Sequence, residues 1–191
     1  EKGVAGLPDD VKAAARAAAE KEGKPGWKFT LHAPSYLPVM QYADDRDLRA
    51  RMYRAYATRA AEFGKAEWNN GPLLERILEL RAEEAALLGF ANYAELSLTP
   101  KMADSPEQVA AFLRDMAAKA RPFAERDLAE VREFARTELG LDKLESWDMS
   151  WASEKLKLAR YAFSDDEVKQ YFPEHKVLTG LFRAIETLFG V

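Results

Sequence analysis

The feature that most constrains this chain is one apolar rhythm running through its middle. From Pro106 onward, Val109, Phe112, Leu113, Met116, Ala120, Phe123, Val131 and Phe134 recur at helical spacing as far as Leu139, where Gly140 supplies a stop. At about 1.5 Å per residue this is a helix roughly 50 Å long. Ser105 offers a hydroxyl cap, Pro106 suits the first helical position, and Gln108 completes a capping box. Pro122 removes one backbone donor, but the rhythm resumes at Phe123, so the sequence predicts a kink and not an end.

The rest of the chain follows suit. Its 33 alanines, with many Leu, Glu, Arg and Lys, are the strongest intrinsic helix formers. Local signals predict helices over Pro8 to about Glu22, Ser35 to Tyr42, Arg46 to about Phe63 behind an Asp44 or Asp45 cap, and Leu73 to Leu88 ahead of Gly89. Further helices are expected over Tyr93 to Leu98 behind an Asn92 cap, from Asp148 or Ser150 to about Tyr161, after the capping box Ser164 to Glu167, and after Pro173. Only Trp27 to Leu31 alternates with period two. The expected fold class is therefore mainly α: an irregular multi-helix domain with one long Pro-kinked helix (about 106–139) and at most one short strand (about 27–31). No repeat of 34 or about 40 residues relates the helices, which argues against a solenoid.

Composition narrows the functional classes. The chain has 191 residues and no cysteine, so disulfides, thiolate metal sites and a cysteine nucleophile are excluded, and a reducing cytoplasm is the expected compartment. With 28 basic and 32 acidic residues, net charge −4 and no long run of either sign, no nucleic-acid surface is expected. No window approaches about 18 uninterrupted apolar residues, so no membrane span is expected. The chain opens at Glu1 without Met and without a signal-peptide core, and it closes just past a helix stop. It reads as an excised segment.

The sequence carries few marks of catalytic chemistry. A zinc peptidase helix needs two His at i and i+4 around a Glu, whereas His32 and His175 each lack a second His within a turn. There is no nucleophile elbow and no glycine-rich phosphate loop. The acid pairs Asp44-Asp45 and Asp165-Asp166 sit at helix starts, where capping accounts for them, and Trp147 reads as a packing anchor. Two arginines stand out. Helical phase places Arg59 within the arc of Leu48, Met52 and Phe63, and Arg81 near the middle of the arc of Leu74, Ile77, Leu78 and Leu88. A buried guanidinium must be paired, so each is expected to meet a carboxylate, Glu84 being the nearest candidate for Arg81, or else a bound anion. Neither is taken as a site residue.

Several stretches together resemble a known family. Ala33 to Met40 (APSYLPVM), Leu48 to Arg59 (LRARMYRAYATR), Leu87 to Tyr93 (LLGFANY), Lys101-Met102-Ala103 with Ser105-Pro106-Glu107, Ala120-Arg121-Pro122, Ser146-Trp147-Asp148 and Tyr171-Phe172-Pro173 occur in this order. They are similar to the thimet-type zinc oligopeptidases, most closely their bacterial branch, over nearly the whole chain from about Leu7. One departure follows Asp148, where the family usually carries two tyrosines and this chain has Trp151-Ala152.

The resemblance implies a zinc metallo-oligopeptidase that hydrolyses short peptides in a channel between two largely helical halves. An H-E-x-x-H helix and a further acid hold the zinc there, and none of these residues is present in this sequence. No catalytic, metal or substrate-binding role is therefore assigned to any position. The expectation is that residues 1–191 form a single non-catalytic helical segment of a larger two-lobed peptidase, contributing scaffold and channel wall, with no cofactor of its own and zinc in the parent enzyme. Its partners would be the remainder of the parent and, for the parent, short peptides. Apolar surface left open around Trp27–Leu31 and on the last helix would favour a homodimer of the isolated segment. A stand-alone helical interaction domain without catalysis is the alternative.

Overall fold

The structure is a computed structural model that describes residues 2–190, without the side chains of Lys2, Asp165 and Asp166. The helices are α1 (Asp9–Glu20), α2 (Ala33–Tyr42), α3 (Arg46–Ala57), α4 (Gly71–Leu87), α5 (Tyr93–Leu98), α6 (Pro106–Glu138), α7 (Met149–Tyr161), α8 (Asp165–Lys169) and α9 (Glu174–Phe189). Short 3-10 turns cover Lys2–Val4 and Ala66–Trp68. Among the described residues there is no strand. The fold is mainly α.

The starts and stops are chemical. Asn92 accepts from the Glu95 amide at 3.0 Å, Ser105 from Gln108 at 3.2 Å and Ser164 from Glu167 at 3.2 Å, each satisfying an otherwise orphaned amide of the first turn. Gln108 answers with its Oε1, which accepts from the Asp104 amide at 2.8 Å. At the far end of α6, Gly140 takes φ +65° and lets the Leu141 amide reach back to the Ala135 carbonyl at 2.9 Å. Between those ends α6 runs through Pro122 without a break.

The chain divides into two compact units, the first formed by residues up to Met52 with those from Phe134 onward, the second by Tyr53 to Glu133. In the first, Val4, Leu7, Val39 and Ala43 form a buried cluster against which Val11, Trp27, Phe29, Tyr42, Leu48 and Met52 pack. Tyr36, Val39, Met40 and Ala43, at helical spacing along and just past α2, are all buried. Helix α2 lies against α7, whose Ala152 is fully buried, and against α1.

Gly6 belongs to this packing. Its φ is +81°, and a β-carbon there would collide with the Tyr42 carbonyl oxygen and sit 2.7 Å from Asp44 Oδ2, while the Asp44 amide donates to Ala5 O at 2.9 Å. Only glycine lets the N-terminal segment lie this close to the end of α2.

In the second unit α4 lies against α5, and Ala85 is the one buried residue among those described from Tyr53 to Glu133. Large apolar side chains face outward there: Leu74 is 59% exposed and Leu78 66%.

Three expectations are corrected. Trp27–Leu31 forms no strand; the Lys28 amide donates to Ala15 O of α1, the Thr30 amide to Ser35 Oγ, and the Trp27 and Phe29 side chains pack on the core, so the alternation reflects one side resting on that core. Apolar surface is accordingly not left open at this stretch, whereas α9 does present Phe182, Leu188 and Phe189 to solvent. The third helix ends at Ala57, not at Phe63, because Ala60 turns left-handed at φ 57° and its carbonyl accepts from the Asn70 amide at 2.9 Å, a tertiary bond no local pattern announces.

Candidate functional site

A dense polar constellation lies in the first unit, where α3 and α7 begin. Asp45 caps α3 by accepting from the Leu48 amide at 3.0 Å. This fixes the first turn, and the i, i+3 spacing then presents Arg46 and Arg49 in the same direction along the helix. Across from them Asp148 occupies the residue before α7, with its backbone carbonyl accepting from the Ala152 amide at 2.8 Å.

Asp148 does not use its carboxylate as a helix cap. Oδ1 accepts from Arg49 Nη2 at 2.8 Å and from Arg46 Nε at 3.1 Å; Oδ2 accepts from Arg46 Nη2 at 2.7 Å, Arg46 Nε at 3.1 Å and the Glu145 amide at 3.1 Å. Arg49 is 1% exposed and Asp148 0%. The remaining Arg49 donors go to carbonyls: Nη1 to Ala43 O at 2.6 Å and to Asp44 O at 3.3 Å, Nε to Trp147 O at 3.2 Å. One face of the guanidinium stacks on Trp151, 4.3 Å from the ring centroid. Trp151 Nε1 in turn donates to Asp44 Oδ1 at 3.1 Å, and Lys155 Nζ pairs with the same oxygen at 3.0 Å.

Burial alone would push the Asp148 carboxyl up, since desolvation penalises its charge. The hydrogen bonds from Arg46, Arg49 and the Glu145 amide outweigh that cost and hold it below its ordinary value, while the bond to Asp148 raises Arg46. A carboxylate held ionised by two guanidiniums is a poor general base and cannot donate as an acid near neutrality. The arrangement suits a clamp between α3, the end of α2 and the start of α7, and no proton transfer is derived from it.

The residues singled out by sequence fall elsewhere. Arg59 lies beyond the end of α3, exposed, with its guanidinium 4.6 Å from the Tyr56 ring centroid. Arg81 sits on α4 in the expected phase, yet it is exposed and stacks on Tyr93 at 4.8 Å, and among the described residues no carboxylate, Glu84 included, pairs with it. Both expectations of burial beside an acid are overturned, for different reasons: Arg59 falls past the end of α3, so the phase of that helix no longer applies to it, whereas the face of α4 that carries Arg81 is exposed. Asp44 serves Trp151 and Lys155 instead of capping, and the side chains of Asp165 and Asp166 lie outside the described residues. Trp147 is half-buried and anchors through its carbonyl.

What sequence reasoning missed is the Arg46–Arg49–Asp148 junction itself. A signal existed: Arg49 projects about 60° from Met52 around α3, at the edge of the apolar arc. Its partner was hidden by a separation of 99 residues.

The donor set does not fit a zinc site. His32 and His175 are both exposed and stand on different segments, and among the described residues no group of three His, Asp or Glu could hold a metal ion.

The comparisons with known proteins bear on the whole stretch. Oligopeptidase A of Salmonella typhimurium is 48% identical over 190 residues, and so is that of Escherichia coli, each alignment covering 98% of this chain and 28% of the relative. The dipeptidyl carboxypeptidase of Salmonella typhimurium is 32% identical with the same coverage. The chain spans about 28% of the length of these curated relatives. A family model described as Peptidase family M3 matches residues 39–191, a stretch that contains Arg46, Arg49 and Asp148. With a match over most of its length, the chain belongs to peptidase family M3.

Proposed function

We propose that this chain is a non-catalytic helical part of a cytoplasmic zinc metallo-oligopeptidase, serving as scaffold and as wall of the channel in which short peptides are hydrolysed. The observation that carries the reading is the pairing of 48% identity over 98% of this chain with only 28% coverage of oligopeptidase A, in a sequence that lacks H-E-x-x-H. Because the donor set here does not fit zinc, no step of hydrolysis is assigned to a residue of this chain. The Arg49–Asp148 clamp supports the scaffold role, since a buried, fully bonded ion pair fixes helix directions in a way that apolar contacts alone do not.

A stand-alone helical interaction domain is the second reading, favoured by the outward-facing apolar side chains of α4 and α9. Reading the encoding frame past Val191 separates the two. A downstream H-E-x-x-H, with zinc-dependent peptide hydrolysis by the full-length product and none by the 191 residues, supports the first. A stop codon directly after Val191 sinks it.

A further inference from the structure

Resting on the reading above, we infer that the open face of α4 is a docking surface for an amphipathic helical segment of the parent polypeptide, one that places a carboxylate opposite Arg81. Leu74, Ile77, Leu78 and Leu88 form the apolar part of this face and are all exposed, between 43% and 66%. Arg81 lies in their midst with its ring contact to Tyr93 on one side and no carboxylate partner among the described residues.

A leucine-rich face with a cation at its centre is complementary to one class of surface: apolar side chains surrounding an acid. Covering the face with a purely apolar element would strand the guanidinium away from water at a cost of several kcal/mol, so an acid must come with it. The planar fork suits a carboxylate in two-point contact, and Tyr93 already restricts its orientation. The second unit has only Ala85 buried, so its helices lack the interior that a self-sufficient domain of this size would have. The relatives supply the source, because this chain accounts for 28% of their length and the greater part of such a polypeptide lies outside it.

The chain contains no cysteine, which makes Leu78→Cys a unique probe within it. The labelling rate of Leu78→Cys with a maleimide, read by peptide mass spectrometry, is compared between the 191-residue chain and the full-length product of the same gene. In the isolated chain the thiol should react freely, and in the full-length protein the rate should fall at least about tenfold, as for a face exposed only by local opening. Arg81→Glu in the full-length protein should restore fast labelling, whereas Arg81→Lys should not. Leu74→Cys provides the same readout should Leu78→Cys express poorly.

Equal labelling of the two proteins overturns the docking inference while leaving the peptidase reading intact, as does protection that survives Arg81→Glu. Protection in the isolated chain also overturns it, pointing to a second copy if dilution abolishes the protection and to a contact within the chain if it does not. A gene that ends at Val191 removes the occupant and takes both inferences down.

Discussion

Arg49 Nη2 donates to Asp148 Oδ1 at 2.8 Å across 99 residues of chain, and neither side chain reaches solvent. Deleting Asp148 leaves the buried Arg49 charge unmatched, which typically costs about 3–5 kcal/mol, whereas deleting Arg49 leaves Asp148 still paired with Arg46. Asp148→Ala should lower stability by about that amount in urea melts and Arg49→Met by less, and the double variant should cost less than the sum of the two, because removing Arg49 from the Asp148→Ala protein removes the stranded charge. Arg46→Met should cost less than Arg49→Met, since the Arg46 side chain is 43% exposed. Additive single variants would show that the pair does not act as a unit.

The same carboxylate predicts a pH dependence. Its native pKa lies below the ordinary 3.8, so its contribution is complete above the unfolded value and is lost as pH falls through the native one. Wild-type stability should therefore erode below about pH 4–5, and the gap between wild type and Asp148→Asn should narrow on acidification. Glu22, drawn down to about 2 chiefly by hydrogen bonds from Lys28 and Lys24, is common to both proteins, so the difference isolates Asp148. A gap that stays constant from pH 6 to pH 3 would contradict the assignment.

Gly6 and Gly180 should respond oppositely to alanine. At Gly6 the left-handed backbone and the Tyr42 carbonyl both resist a β-carbon, and a loss of about 2–3 kcal/mol is expected. At Gly180, inside α9 with open space around it, alanine should gain about 0.5–1 kcal/mol through helix propensity. Thermal melts of both variants check the pair.

For the isolated chain, Arg81→Ala should change stability by less than about 0.5 kcal/mol, because an exposed cation over a ring contributes little. A loss above 2 kcal/mol in denaturant melts would mean that the guanidinium is buried and paired in solution.

The isolated chain should also retain no stoichiometric zinc through dialysis and cleave no peptide, because the donors for an open catalytic site are missing from its sequence. Atomic absorption and a fluorogenic peptide assay on clean protein would expose an error.

What the sequence made legible was local chemistry. Asn92, Ser105 and Ser164 cap the helices they were expected to cap, Gly140 ends α6, and Pro122 is absorbed within it, because each depends on neighbours a few residues away. The end of α3 was not legible, since no Gly or Pro lies between Ala57 and Phe63 and the stop is made by Asn70 bonding back to Ala60. Arg49 and Asp148 escaped for a related reason: each reads locally as an ordinary helix-start residue, and only the tertiary fold makes them partners. Periodicity placed Arg81 on the right face of α4, but it reports which residues share a face and is silent on what lies against it.

The first unit is built from two separated stretches of chain, with Tyr53 to Glu133 between them. On the ribosome, Arg49 therefore emerges without its carboxylate. At about 5–20 residues per second, the intervening stretch alone keeps Asp148 unmade for about 4–16 s. The contiguous helices α4 and α5 can pair in that interval, whereas the closure of α3 onto α7 is a late event that waits for the C-terminal third of the chain. A slow codon run upstream of Asp148 would lengthen the time in which α3 is vulnerable to chaperones and proteases, so the timing of translation is coupled to the assembly of this clamp.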